Sequence, residues 1–198
     1  MSKKSNTSSL QKDRTKVLAV ALPLIAEMGW QNFALDMAYS AAKLSVKKAA
    51  TCFANKEDLL AFFSQEITKE MMEECGPFVD EPEKDRLFDV IMTRFDVLQK
   101  HRPVIIELFE FFKRNPLQGL SFLVSLRSTV QWILCAAQVT DSSYPFHLKE
   151  KAVLSVYMLT LRTWVRDDSP DLEKTMADLD KNLDRMIRFG GTFQKTSF

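Results

Sequence analysis

The residues that usually carry catalysis are scattered through this sequence rather than gathered. His101 and His147 are its only histidines, and each stands at the edge of a predicted helix. The adjacent acids Glu73-Glu74 and Asp167-Asp168 read as solvated faces or helix ends. No glycine-rich phosphate loop, Gly-x-Ser-x-Gly or His-Glu-x-x-His occurs. Cys52, Cys75 and Cys135 have neither Cys-x-x-Cys spacing nor a neighbouring histidine, so no metal site is expected. The residues therefore predict no catalysis and no cofactor. Unpaired thiols fit a reduced, cytoplasmic setting.

Two kinds of binding chemistry remain. The first is cationic. Residues 1–56 hold nine Lys or Arg against Asp13, Glu27 and Asp36, a net of +6, which leaves −5 for the other 142 residues given a total of +1. A basic front on a near-neutral chain suits phosphate at that end. Ser45, Lys47, Lys48 and Thr51 share one short predicted helix and its start, where they could meet phosphates or base edges. Lys56, at the first turn of the next helix, fits a phosphate contact. Lys12, Arg14 and Lys16 would reach the flanking backbone. The second chemistry is apolar. Fifteen Phe and nine Met give a bulky, soft interior. Phe95, Phe109, Phe112, Phe122, Leu126, Trp132 and Met158 are candidates to line a cavity, with Arg127, Gln131 and Tyr157 as its orienting polar groups. An acyl, isoprenoid or aromatic guest would suit it.

The elements that must position these groups are all helices. With only 5 Gly and 7 Pro, the chain lacks the turns of a sandwich or barrel. Apolar residues at three- and four-residue spacing predict helices over about 11–28, 35–43, 46–52, 56–75, 84–100, 103–114, 116–138, 147–166 and 170–189. Pro23 lies inside the first and predicts a kink there, and Gly29 stops it. Ser45 and Asn55 are predicted N-caps through their side chains, and Asn115-Pro116 opens the seventh helix. Ser169 is a predicted cap with Pro170 at the first helical position; Gly190-Gly191 would close the last helix. The seventh helix is apolar almost all round and is expected at the centre. Residues 1–10, polar and Lys/Ser-rich, are expected to be disordered. No apolar run of about 20 residues is present to span a membrane. Alanines at 41, 42, 49 and 50 allow the second and third helices to cross closely, the geometry of a helix-turn-helix.

Phe53-Ala54-Asn55-Lys56-Glu57-Asp58-Leu59-Leu60 resembles the end of the DNA-binding domain in TetR-family repressors. Arg14 to Trp30, with its Gly29 stop and following aromatic, is similar to that family's opening helix. The family's phosphate-touching Tyr, three residues before the aromatic, is Ala50 here. The Gly usual in the turn before its recognition helix is replaced by Lys43-Leu44. The third helix also lacks Arg, Asn and Gln, so little base reading is expected of it. Farther on, Tyr157-x-x-Thr160 and Ser169-Pro170-Asp171-x-x-x-Thr175 resemble the last two helices of the ubiquinone-biosynthesis accessory proteins. Those are lipid-binding proteins of similar fold.

The resemblances imply an all-α, TetR-like fold of about nine helices. Residues 11–55 would form the DNA-binding domain and 56–198 the ligand-binding and dimerisation domain. In TetR-like proteins the last two helices pair with their copies in a second subunit. That role here would fall to Val153, Val156, Thr160, Trp164, Leu172, Met176, Leu179 and Leu183. The expected function is a homodimeric transcriptional regulator that binds an operator and is controlled by a small apolar ligand. The alternative is a lipid-binding accessory protein of ubiquinone biosynthesis that does not read DNA.

Overall fold

The computed structural model describes the backbone of residues 2–78, 80–139 and 146–194, with side chains over 9–78, 80–119, 126–139 and 148–188. Among these residues it contains nine α-helices and no strand. They are α1 (Ser2–Met28), α2 (Leu35–Ala41), α3 (Val46–Cys52), α4 (Lys56–Glu74), α5 (Glu83–Gln99), α6 (Arg102–Arg114), α7 (Pro116–Ala136), α8 (Phe146–Trp164) and α9 (Glu173–Gln194). The chain divides into two compact units. The first takes residues 1–66 together with 101–116; the second takes 67–100 and 117–198. Helix α4 therefore gives its first half to one unit and its second half to the other. The first unit continues past the sequence-based boundary at 55/56 and recruits α6.

In the first unit α1 packs against α2, α3 and α6. Val17, Ala21 and Ile25 of α1 are fully buried, as are Ala38 and Leu59. Trp30 stacks on Phe33 with ring centroids 6.0 Å apart. Removing each large side chain from water stabilises the unit by roughly 1.5–3 kcal/mol. Gly29 ends α1 in the left-handed region, φ 84°, and its N–H donates to the Ile25 carbonyl. The next N–H, of Trp30, donates to Glu107 Oε1 on α6 at 3.1 Å. Helix α1 starts at Ser2, where a disordered tail was expected, because no Gly or Pro stands among residues 2–10 to stop its propagation. Pro23 lies within it and does not end it.

In the second unit α9 packs against α8 and α5. Leu87, Val90, Ile91 and Phe95 of α5 are wholly buried, as are Trp164, Leu179 and Leu183. Phe95 stacks on Tyr157 (5.5 Å) and Trp164 (5.9 Å), forming an aromatic layer between α5 and α8. Helix α7 is not apolar all round. Leu126, Val130, Ile133 and Leu134 point inwards, while Arg127, Ser128, Gln131 and Cys135 form an outer face that also half-exposes Trp132.

Several expected caps work differently in the structure. Asn55 caps α4 as expected: its Oδ1 accepts the Asp58 N–H at 2.8 Å, and Asp58 Oδ2 accepts the N–H of Ala54, the residue before the cap, at 3.1 Å. Ser45 occupies the N-cap of α3 but makes no side-chain cap bond; its carbonyl accepts the N–H of Lys48 and Ala49. The Asn115 amide donates back to the Phe111 carbonyl and closes α6, and α7 begins at the next residue, Pro116, as expected. Helix α9 begins at Glu173, not Pro170, because Leu172 adopts φ 53° and a left-handed residue cannot lie within a right-handed helix. Its far end runs through Gly190-Gly191 to Gln194, since neither glycine ends it.

Candidate functional site

Three of the cationic side chains expected to face DNA are fasteners of the first unit. Arg14 Nε donates to the Cys52 carbonyl at 2.7 Å, and its guanidinium lies over the rings of Phe53 (5.2 Å) and Phe62 (5.8 Å). Lys56 Nζ donates to the Trp30 carbonyl at 3.0 Å and sits 4.6 Å from the centre of the Trp30 ring. Lys48 pairs with Asp13 of α1 at 2.9 Å. Tyr39, which sequence reasoning did not single out, completes the arrangement by donating its hydroxyl to the Phe53 carbonyl at 3.1 Å. The C-terminal carbonyls of α3, left unpaired by helix geometry, are thus held by α1 and α2.

The outward surface is correspondingly plain. On α3 it consists of Val46, Lys47, Lys48, Ala50 and Thr51, and the Thr51 hydroxyl donates to the Lys48 carbonyl of its own helix. Ser45 is also exposed. Lys12 and Lys16 are neighbours on the exposed face of α1. With Gln11, Thr15 and Ala19 they line an open groove of about 590 Å³. The structure therefore leaves Lys12, Lys16 and Lys47 extended towards solvent, a set suited to phosphates rather than to base edges.

The expected apolar cluster is divided. Phe109 and Phe112 belong to the first unit and are half-buried there. Phe95, Leu126 and Tyr157 are buried in the second unit, with Met158 half-buried. The Phe122 side chain lies outside the described residues. Arg127 and Gln131, expected to orient a guest, instead reach outwards to Glu150. Its buried carboxylate accepts from Arg127 Nε at 3.1 Å and from Gln131 Nε2 at 2.7 Å.

A buried cation lies inside the second unit: Arg94, on the inner face of α5, is 2% exposed. Its Nε donates to the Tyr157 hydroxyl at 3.1 Å and its Nη1 to the Thr68 hydroxyl at 3.1 Å. The guanidinium carbon stands 5.8 Å from the centre of the Tyr157 ring. The signal for it was in the sequence: position 94 falls in the helical stripe Leu87, Ile91, Phe95, Leu98, where an arginine is out of place unless it has a task.

Asp167, read from the sequence as part of a solvated face or helix end, is instead buried at the junction of α8 and α9. Its Oδ1 accepts the Ser169 N–H at 3.1 Å and the Ser169 hydroxyl; its Oδ2 accepts the Thr175 N–H (2.8 Å) and hydroxyl (2.7 Å). The Ser169 Oγ in turn accepts the Glu173 N–H at 3.1 Å, so that Ser169 does cap α9. Burial alone would raise the Asp167 carboxyl, but these four hydrogen bonds outweigh it and hold it at about 2.

The residues expected to face a twin are inside one chain. Val153, Val156, Thr160 and Trp164 of α8, with Leu172, Leu179 and Leu183, are buried, and Met176 is half-buried. Helices α8 and α9 pack on each other within the chain, so these residues lie in its interior rather than on an outward face. Among the described residues, no group of His, Cys, Asp and Glu is placed to hold a metal, and no helix is long and apolar enough to cross a membrane.

The COQ9 family model matches residues 121–190. No curated protein sequence matches the chain significantly. Among solved structures, the fold is similar to a TetR transcriptional regulator from Nitrosomonas europaea, with a TM-score of 0.70 and 22% identity over 88% of this chain and 97% of that one. It is also similar to a protein of Syntrophomonas wolfei ascribed to the TetR family (TM-score 0.64, 14% identity, 89% and 96% covered). A third similarity is to a TetR-family regulator from Streptomyces coelicolor (TM-score 0.55, 22% identity, 91% and 85% covered). The chain has a TetR-like fold whose C-terminal region is COQ9-like.

Proposed function

We propose that this protein binds an acyl or isoprenoid lipid in its second unit and serves ubiquinone biosynthesis as an accessory protein, on a TetR-like scaffold that does not read DNA sequence. The observation that carries the reading is the COQ9 match over 121–190, the stretch holding most of α7 and all of α8 and the described α9 up to Gly190. The first unit supports it from the other side. Arg14, Lys48 and Lys56 are occupied within the chain, and α3 presents no Arg, Asn or Gln with which to recognise a base. No step of bond making is involved; the work is to hold an apolar molecule out of water.

A second reading, the operator-binding homodimer controlled by an apolar ligand, is favoured by the +6 charge of residues 1–56 and the exposed Lys12, Lys16 and Lys47. In it, a ligand preferring one separation of two DNA-binding heads would shift the population and the operator affinity. One experiment separates the two. The full chain is purified, its organic extract is read by mass spectrometry, and the same preparation is titrated with its own upstream DNA at rising salt. The accessory reading expects a co-purified acyl or isoprenoid lipid and no preference for that DNA over a scrambled duplex. A preference of 1,000-fold or so, the lower range of specific recognition, would overturn it in favour of the regulator.

A further inference from the structure

Among the described residues, Arg94 is a buried cation hydrogen-bonded to no buried anion. Charges taken out of water are ordinarily paired, because an uncompensated one is costly. Yet its hydrogen-bond partners among the described residues are two neutral hydroxyls, those of Thr68 and Tyr157. A guanidinium has five N–H donors, and those two bonds use two of them. One turn along α8 from Tyr157, Thr160 is fully buried and its hydroxyl has no hydrogen-bond partner. The described residues of the second unit thus carry, within an apolar interior that includes Ile91 and Phe95, a guanidinium with no carboxylate partner and an unspent hydroxyl.

We infer that Arg94 receives the carboxylate head of an amphiphilic ligand, with Tyr157 and Thr68 holding the guanidinium in place and Thr160 available as a further hydrogen-bonding group. A planar carboxylate matches the guanidinium fork with two parallel hydrogen bonds. A phosphodiester would bring a second polar substituent into the same apolar surroundings, so the carboxylate is the better fit. The inference rests on the lipid-binding reading and sharpens it: the guest is an acid with an apolar tail, not a neutral hydrocarbon.

The test uses the full, delipidated chain with dodecanoate, its methyl ester and dodecyl phosphate as probes, and Trp fluorescence or calorimetry as the readout. The wild type should bind dodecanoate at least tenfold more tightly than the ester, and more tightly than the phosphate. Arg94→Met should bring acid and ester within about twofold of each other by weakening the acid far more than the ester. Arg94→Lys, which keeps the charge but loses the fork, should retain a reduced preference for the acid. Equal binding of acid and ester by the wild type overturns the inference and leaves the apolar guest standing. So does a preference unchanged in Arg94→Met, or in Arg94→Lys should Arg94→Met not fold. Tighter binding of dodecyl phosphate replaces the carboxylate by a phosphate head. Binding of none of the probes overturns this inference and weighs against lipid binding itself.

Discussion

A single carboxylate, Asp167, organises the junction between α8 and α9. It reaches both Ser169 in the turn and Thr175 in the first turn of α9, so one charged group satisfies two backbone N–H groups and two hydroxyls. Its carboxyl is held at about 2 against an ordinary 3.8. A group lowered on folding contributes stability that is fully present above its unfolded value and lost as pH falls through its folded one. The window here runs from about pH 4 down to pH 2, and the linked contribution is ~2 kcal/mol. Asp167→Asn should therefore cost about that much at neutral pH and flatten the loss of stability between pH 4 and pH 2. Denaturant titrations at both ends of the window check it. A variant as stable and as acid-sensitive as the wild type would show that the junction does not depend on this charge.

The turn between α2 and α3 carries its own strain at the scale of elements. Lys43 takes φ 52°, a conformation that costs most side chains about 1 kcal/mol and costs glycine nothing. Its side chain is exposed. Lys43→Gly should stabilise the first unit by up to about 1 kcal/mol, less the greater freedom glycine gains in the unfolded chain. A shift of the denaturation midpoint to higher denaturant with unchanged slope is the expected result; a downward shift would show the lysine to be in use. The same turn explains what was legible. The glycine usual at this place in the resembling family stood out by its absence, and the fold tolerates that absence at a small energetic cost. Helix positions were readable because apolar spacing reports local geometry directly. Helix ends were less so, since Leu172 in the left-handed region and the lack of a stop at Gly190-Gly191 are decided by tertiary packing. Arg14 and Lys56 were readable as cations near a helix-turn-helix. Their partners, the carbonyls of Cys52 and Trp30, come from chain folded back from elsewhere. No pattern along the sequence marks such a carbonyl.

At the scale of the whole molecule the open issue is what a second copy would touch. A seam built from Val153, Val156, Leu179 and Leu183 is ruled out by their burial within one chain. The outward sides of the same helices still hold apolar residues: Leu159 on α8 is 50% exposed and Ile187 on α9 is 45% exposed. A four-helix arrangement of two copies would use those sides. If the protein is a homodimer through α8 and α9, Leu159→Asp and Ile187→Asp should each shift it to monomer in sedimentation equilibrium, with the denaturation midpoint of the chain little changed. Val156→Asp should behave in the opposite way, because an unpaired charge in the interior costs several kcal/mol. It should unfold the second unit before it says anything about association. The two classes of variant thus separate a residue that holds one chain together from a residue that holds two. A dimer indifferent to both outward substitutions would remove α8 and α9 from the interface, and with them the part of the TetR-like analogy that concerns assembly.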